Sequence, residues 1–169
     1  MSEAEKIVHP VLEGEPETGK WYRLEVPGGC CAGGSPYWGF FRKGTAPDLL
    51  ILFAGGGVSV NAYTAARPIR FDRTGDMFYF DDQALTWMDQ KLRHGILSPG
   101  PENPFRDWSA LVVSYTTADF HVGNGDFTYI APDGSLAVIR HRGHRNARGL
   151  LARAAALVPA PRRLLVAGM

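Results

Sequence analysis

The sequence has no long apolar run and few cysteines. None of its apolar runs approaches the ~20 residues of a membrane-spanning helix. Residues 1–6 (MSEAEK) are charged and lack the apolar core of a secretory signal peptide. The two cysteines, Cys30 and Cys31, are adjacent, so they cannot form an ordinary disulfide with each other without strain. We therefore expect a cytoplasmic protein that makes no contact with a membrane.

The sequence also lacks a strong net charge. Its 18 Lys and Arg residues nearly balance 17 Asp and Glu residues, although seven arginines and no acidic residue fall from Arg140 onward. This cluster has no interleaved aromatic side chain and no nucleic-acid-binding motif, so we interpret it as the solvated face of a helix. His141 and His144 lack further close Cys or His ligands at zinc-finger spacing. We therefore expect no nucleic acid, no metal and no cofactor.

The longest apolar segments predict the strands of one sheet. Residues 21–26 and 37–42 are typical of two antiparallel strands. Three further segments have no polar alternation, which indicates strands buried on both faces in a parallel sheet. These segments are residues 49–53, 110–115 and 164–167. Shorter apolar segments on either side of a Pro-Asp-Gly turn at residues 132–134 predict a hairpin.

Two segments predict helices between the strands. Asp81 or Asp82 is expected to cap a helix that runs to about Arg93, with Leu85, Met88 and Leu92 on one face. Residue Asn146 is expected to cap a second helix, and prolines at 159 and 161 end it. After a polar lead-in at residues 1–20, residues 21–169 therefore predict a single α/β domain, the first half of an open sheet.

Three glycines follow the first of the buried strands. Gly55, Gly56 and Gly57 let the backbone turn sharply and leave its N–H groups uncovered by side chains. Two interpretations are open at this point. The run is either a tight turn at the strand exit that binds nothing, or the glycine run that follows the third strand of an α/β-hydrolase and supplies oxyanion-hole donors for acyl transfer.

Five segments, in chain order, resemble the pectin acetylesterase/Notum family of α/β-hydrolases. They are residues 31–37 (CAGGSPY), 49–58 (LLILFAGGGV), 103–108 (NPFRDW), 115–124 (YTTADFHVGN) and 141–150 (HRGHRNARGL). Family members hydrolyse esters with a Ser-Asp-His triad. The resemblance implies the N-terminal half of an α/β-hydrolase-type, mostly parallel sheet with flanking helices. It also implies that Gly56, Gly57 and Val58 form the oxyanion hole, with Gly55 beside the substrate.

The sequence departs from the family in two places. Val58-Ser59 stands where relatives often have Trp-Cys, and Tyr115-Thr116 stands where they usually have Tyr-Cys. Both losses of cysteine fit an intracellular member, and they put the substrates of the secreted relatives in doubt.

Asp119 and His121 follow the second buried strand, at the edge where ligands bind in open α/β sheets. We predict that they orient the substrate or line its pocket, the alternative being hydrogen bonding within their own loop. Catalysis by this pair alone is not expected, because it needs a positioned nucleophile. The three serines considered for that role, Ser59, Ser114 and Ser135, lack the context of a nucleophile elbow.

The nucleophile elbow of the fold, G-x-S-x-G, follows its fifth strand. Gly168 and Met169 match the first two positions of that motif. We therefore expect the N-terminal portion of a serine carboxylic-ester hydrolase, inactive alone, with the triad and the remaining strands on a second polypeptide segment. The alternative is a non-catalytic truncated relative that acts as a binding or regulatory module.

Overall fold

The computed structural model of the chain describes residues 8–72, 74–86 and 88–168, except for the side chain of Leu85. Its strands are β1 (Trp21–Cys30), β2 (Pro36–Arg42), β3 (Asp48–Phe53), β4 (Ser109–Val113), β5 (Gly125–Ile130), β6 (Leu136–His141) and β7 (Arg163–Gly168). Its helices are α1 (Ala62–Ala65), α2 (Met88–Lys91) and α3 (Gly143–Leu157), with 3-10 turns at Gln83–Leu85 and Gly95–Leu97. Within these described ranges, no helix is long and apolar enough to span a bilayer.

The main sheet has five strands in the order β1-β2-β4-β3-β7, and β5 and β6 form a separate hairpin. Strand β3 pairs in parallel with both β4 and β7. The other two pairings, β1 with β2 and β2 with β4, are antiparallel. The expectation of a mostly parallel sheet is therefore corrected to a mixed sheet. The antiparallel pairing of β1 with β2 was predicted and follows from the short turn between them. Strand β2 is also antiparallel to β4, so two of the four pairings are antiparallel.

Both faces of the central strands are covered. On one face, Ile51 of β3 and Leu111 of β4 belong to a core cluster with Leu150 of α3. On the opposite face, Leu50 belongs to a cluster with Leu92, which follows α2. Burial on both faces explains why β3 and β4 carry no polar alternation, as predicted.

The lead-in is tied to the sheet over its described part. Isolated bridges join Val11 to Arg23 of β1 and Thr18 to Lys43, which follows β2. Leu12 is buried in the core. Residues 1–7 of the expected lead-in lie outside the described ranges.

The helix predicted from Asp82 to Arg93 is interrupted. The Asp82 side chain accepts a hydrogen bond from the Ala84 N–H at 2.7 Å, but the turn that follows is 3-10 and ends at residue 85. Thr86 then donates its hydroxyl to the Gln83 carbonyl at 3.0 Å. Such side-chain bonds compete with helical backbone bonds. The apolar spacing correctly predicted that Met88 is buried. The prediction of a continuous helix was wrong.

Helix α3 begins four residues earlier than predicted, with its N-cap at Arg142 and not at Asn146. Its first residue, Gly143, donates its N–H to an Asp119 carboxylate oxygen at 2.7 Å. Asn146 is buried inside the helix, where its side-chain amide donates to the Cys30 carbonyl at 2.9 Å. Asn146 therefore joins α3 to the end of β1. Asp119, in the loop after β4, takes the capping role that was expected of Asn146.

Strand β7 is paired and covered on one side. Asp48 of β3 is buried and accepts from Arg162 and Arg163 at 3.1 and 2.7 Å, which fixes the start of β7 against β3. These two arginines hold the pKa of Asp48 well below its ordinary value. Leu164 and Val166, however, are each 57% exposed. In the described chain β7 is the last strand of the sheet. The exposure of these two side chains shows that the expectation of burial on both faces was wrong.

Candidate active site

The exits of β3 and β4 lie side by side. Because the two strands run in parallel with Phe53 opposite Val113, the loops that follow them leave the same edge of the sheet. Gly168 of β7 also pairs with Phe53. The glycine run after β3, the loop after β4 and the end of β7 therefore meet at the edge where open α/β sheets bind ligands.

Two glycines of the run have no room for a side chain. A Cβ atom on Gly56 would lie 2.7 Å from the Tyr115 carbonyl oxygen. A Cβ atom on Gly57 would overlap the Phe78 carbonyl, and Gly57 also has a φ of +85°. Only glycine adopts this conformation at so close an approach without strain. The sequence signal was therefore correct about the turn.

Residues 56–58 form a short antiparallel bridge with residues 78–80, and this bridge decides which N–H groups are free. Val58 donates its N–H to the Phe78 carbonyl at 3.0 Å, and Phe80 donates to the Gly56 carbonyl at 2.9 Å. The expectation that Val58 donates to an oxyanion is therefore corrected, because its N–H already has a partner. The sequence carries no alternation or turn signal that predicts a bridge to residues 78–80.

Gly57 lies opposite Tyr79 in this bridge. The residues on either side of Gly57 make the bridge hydrogen bonds, so its own N–H points away from the partner segment. Within the described part of the chain, the N–H groups of Gly55, Gly56 and Gly57 have no hydrogen-bond partner. Gly57 is also exposed. The run thus presents uncommitted backbone donors at the ligand-binding edge.

His121 connects the two loops. Its Nε2 lies 2.9 Å from the Ala54 carbonyl oxygen, which only accepts, so this contact assigns the ring proton to Nε2. Its ring packs against Tyr115 and Phe53, with centroid distances of 4.5 and 5.1 Å. Burial lowers the pKa of His121, so the ring is neutral at neutral pH. His121 therefore holds the backbone just before the glycine run.

Asp119 is bonded to donors of the protein itself. One carboxylate oxygen accepts from the Thr117 hydroxyl at 2.7 Å and from the His121 N–H at 3.1 Å. The other accepts from Gly143 at the N-terminus of α3, where a negative charge is stabilising. These contacts match the loop-bonding alternative for Asp119, and its substrate-binding role stays a prediction.

The loop after β4 has an uncommon backbone. Ala118, Phe120 and His121 have φ values of +57°, +57° and +64°. Left-handed conformations of residues other than glycine are uncommon and cluster at functional sites. The Tyr115 hydroxyl accepts from the Phe120 N–H at 2.6 Å, which holds this conformation, and burial raises the pKa of Tyr115 to about 12. Sequence reasoning missed this role of Tyr115, for which a tyrosine at a strand end gives no distinct signal.

A groove of about 330 Å³ runs between the two loops. Val60 and Phe120 line it and are 70% and 68% exposed. The buried Ser59 hydroxyl also lines it and has no hydrogen-bond partner in the described chain. The groove therefore has an apolar rim, and the Ser59 hydroxyl is buried beneath it.

The other polar residues considered from the sequence form hydrogen bonds within the protein. Ser114 accepts from the Gln83 side chain at 2.9 Å, and Ser135 donates to Asp133 at 2.7 Å. His141 Nδ1 lies 2.8 Å from the Thr117 carbonyl oxygen. Among the described residues, no group of three His, Cys, Asp or Glu side chains is placed to hold a metal ion. Residue Met169, expected in the elbow, lies outside the described ranges.

The chain has an α/β fold, with helices against a mixed sheet. Among solved structures, the chain is similar to the Wnt deacylase Notum from Drosophila, with a TM-score of 0.58 and 21% sequence identity over 86% of this chain. The match covers 42% of the Notum chain, so the present chain spans less than half of that length. No protein-family model and no curated protein matches the sequence. At this identity the similarity shows the fold alone, and an activity has to be argued from the geometry of the site.

Proposed function

We propose that this chain is the N-terminal portion of a serine carboxylic-ester hydrolase and supplies its oxyanion hole. The observation that carries the proposal is the Gly57 N–H, which belongs to an exposed residue, points away from its bridge and has no partner in the described chain. The Gly56 N–H is the second donor. Two donors beside each other on a glycine turn are the arrangement that stabilises the oxyanion of acyl transfer.

The chemistry assigns this chain one part of the reaction. A serine oxygen attacks the ester carbonyl carbon, a histidine takes the serine proton, and negative charge develops on the carbonyl oxygen. The N–H groups of Gly56 and Gly57 bond that oxygen. Collapse of the intermediate expels the alcohol, which takes the proton from the histidine. Water then releases the acid by the same sequence of steps.

The register of β7 supports a nucleophile directly beyond this strand. Gly168 pairs with Phe53, three residues before Gly56. A serine that follows β7 in a tight elbow would therefore stand beside the glycine donors. His121 has the positioning role here, because its bond to the Ala54 carbonyl fixes the backbone from which the donors project.

The proposal includes a second polypeptide segment with the triad and the remaining strands. Its support is that β7 pairs only with β3 in the described chain, which leaves its other edge unpaired, and that Leu164 and Val166 on one of its faces are exposed. An apolar edge strand is a template for pairing with a further strand. The ester substrate lies along the groove, with its apolar part against Val60 and Phe120.

The test is to produce the chain together with the coding sequence that follows Met169 in its gene and to measure 4-nitrophenyl acetate hydrolysis. We expect hydrolysis that a fluorophosphonate abolishes. Gly57→Ala should lower kcat by about 10²–10³ because an oxyanion donor is displaced. Gly19→Ala is the matched control, since Gly19 has a φ of +81° and open space around its Cβ position.

Two results would overturn the proposal. One is full hydrolysis by a Gly57→Ala protein that keeps its fold by circular dichroism. The other is the absence of a serine from the sequence that follows Met169, which would favour the alternative of a binding or regulatory module.

A further inference from the structure

One tyrosine contacts both loops of the candidate site. Tyr115 follows β4 and is only 5% exposed. Its carbonyl oxygen and its ring atom Cδ1 lie 2.7 and 3.1 Å from the position that a Cβ atom on Gly56 would take. Its ring packs against the His121 ring at a centroid distance of 4.5 Å. Tyr115 therefore contacts the glycine run and the loop after β4 at the same time.

The Tyr115 hydroxyl holds the backbone at Phe120. It accepts the Phe120 N–H at 2.6 Å, and Phe120 has a left-handed φ of +57°. This conformation is unfavourable for a residue other than glycine, so it persists only where surrounding contacts hold it. Burial raises the pKa of Tyr115 to about 12, so the phenol is uncharged at neutral pH. Its oxygen is then free to accept the Phe120 N–H.

The position of the Phe120 side chain depends on this backbone. Phe120 is 68% exposed, so burial contributes little to its position. It lines the groove of about 330 Å³ together with Val60. The loop also bonds the opposite wall, because the Ala118 carbonyl accepts from the Ser59 N–H at 3.0 Å. The shape of the groove at its apolar rim therefore follows the conformation of the loop that Tyr115 holds.

We propose that Tyr115 is a positioning residue, whose hydroxyl fixes Phe120 as a wall of the groove and so gives the site its selectivity for esters with an apolar chain. This inference rests on the proposed ester hydrolysis. The chain of the ester packs against Phe120 and Val60, and each methylene removed from water favours binding by roughly fourfold. Tyr115 acts on the ester only through Phe120.

The test compares Tyr115→Phe with the unaltered chain, each continued by the sequence that follows Met169 in its gene. Phenylalanine keeps the ring and removes only the hydroxyl. Two pairs of esters place the apolar chain on the acyl side or on the alcohol side. They are 4-nitrophenyl hexanoate with 4-nitrophenyl acetate, and hexyl acetate with ethyl acetate.

In the pair whose apolar chain lies in the groove, the unaltered protein should favour the long ester. Tyr115→Phe should lower kcat/KM for the long ester, relative to the short one, by about tenfold, the equivalent of one hydrogen bond. The loss should fall mainly on KM, because packing against Phe120 stabilises the bound ester and the transition state alike.

A double variant separates positioning from general destabilisation. Phe120→Ala removes the wall itself and should lower the same ratio at least as much. In the Phe120→Ala background, Tyr115→Phe should change the ratio by less than about twofold, because its effect passes through Phe120. Tyr22→Phe is the matched control, since Tyr22 is 6% exposed and its hydroxyl donates to Glu17 at 3.2 Å, on β1. It should leave the ratio unchanged.

The chain alone gives a second readout. Hydrogen exchange of the Phe120 amide, followed by NMR of the ¹⁵N-labelled chain, should be at least about tenfold faster in Tyr115→Phe. Tyr22→Phe should leave it unchanged. An unchanged exchange rate in Tyr115→Phe would show that the hydroxyl does not hold Phe120, and it would overturn the inference.

The two proposals fail in different ways. Absence of all ester hydrolysis overturns the proposed function and the selectivity with it. Hydrolysis whose ratio of long to short ester is the same in Phe120→Ala as in the unaltered protein, for both pairs, overturns the inference alone. Because Phe120 is exposed, this variant decides the matter even if Tyr115→Phe fails to fold.

Discussion

Strands β4 and β7 have the same kind of sequence and different surroundings. Both are continuous apolar segments without polar alternation. Strand β4 lies between β2 and β3, and every residue from Ser109 to Val113 is buried. Strand β7 has one neighbour in the described chain, and two of its large side chains are mostly exposed. The comparison shows that an uninterrupted apolar run predicts a strand, whereas the burial of that strand depends on the elements that pack against it.

The largest expected difference between the two strands is in their response to truncation. Leu111→Ala in β4 should lower the free energy of unfolding by about 3 kcal/mol, because a fully buried side chain leaves a cavity. Leu164→Ala in β7 should cost about 0.5 kcal/mol, because that side chain is mostly exposed. Urea unfolding of both variants measures this. Equal costs would mean that β7 is covered as fully as β4.

A second comparison sets Gly57, at the exit of β3, against Gly19, in a turn before β1. Gly57→Ala should destabilise by about 3 kcal/mol, because it adds a clash with the Phe78 carbonyl to left-handed strain. Gly19→Ala carries only the strain, about 1 kcal/mol. Thermal unfolding compares them. A cost for Gly57→Ala no larger than for Gly19→Ala would show that the bridge to Phe78 yields easily.

The ion pairs at the start of β7 predict a pH dependence. The two arginines lower the pKa of Asp48 below its ordinary 3.8, so the folded chain resists protonation there. This contribution is present above about pH 4 and is lost as the pH falls below that value. Asp48→Asn should therefore flatten the fall in unfolding free energy between pH 4 and pH 2. An identical slope in the variant would show that these pairs do not anchor β7.

The smallest effect on stability is expected at the exposed face of β7. Val166→Lys should change the free energy of unfolding by less than about 0.5 kcal/mol, because Val166 is mostly exposed. The same change should reduce association of the chain, since charge on an edge strand blocks pairing. Sedimentation over a range of concentrations measures this. A large loss of stability would indicate that Val166 is packed.

Much of the sheet could be predicted from the sequence because its strands are uninterrupted apolar segments. The strands at residues 37–42 and 110–115 were located to within a residue or two, and the hairpin was identified from its turn. The break in the helix expected after Asp82 could not be predicted. It occurs where the Thr86 hydroxyl bonds the Gln83 carbonyl, in a segment whose apolar spacing is otherwise helical. Such local competition is invisible to hydrophobic periodicity.

The site shows the same limit. Glycine at 56 and 57 was a correct signal for a tight turn, because both positions exclude a Cβ atom. Which N–H remains free depends on a bridge between residues 20 to 24 positions apart, which no local sequence pattern predicts. Likewise, Asp119 was placed correctly after β4, but its bond to Gly143 depends on where α3 begins.

The most direct measurement is a crystal structure of the chain, continued by the sequence that follows Met169, after reaction with a fluorophosphonate. We expect a phosphonylated serine beyond β7, with the phosphonyl oxygen about 2.7–3.1 Å from the Gly57 nitrogen and with the Gly56 N–H as second donor. A phosphonyl oxygen that is bonded elsewhere, with the Gly57 N–H turned away from it, would contradict the account.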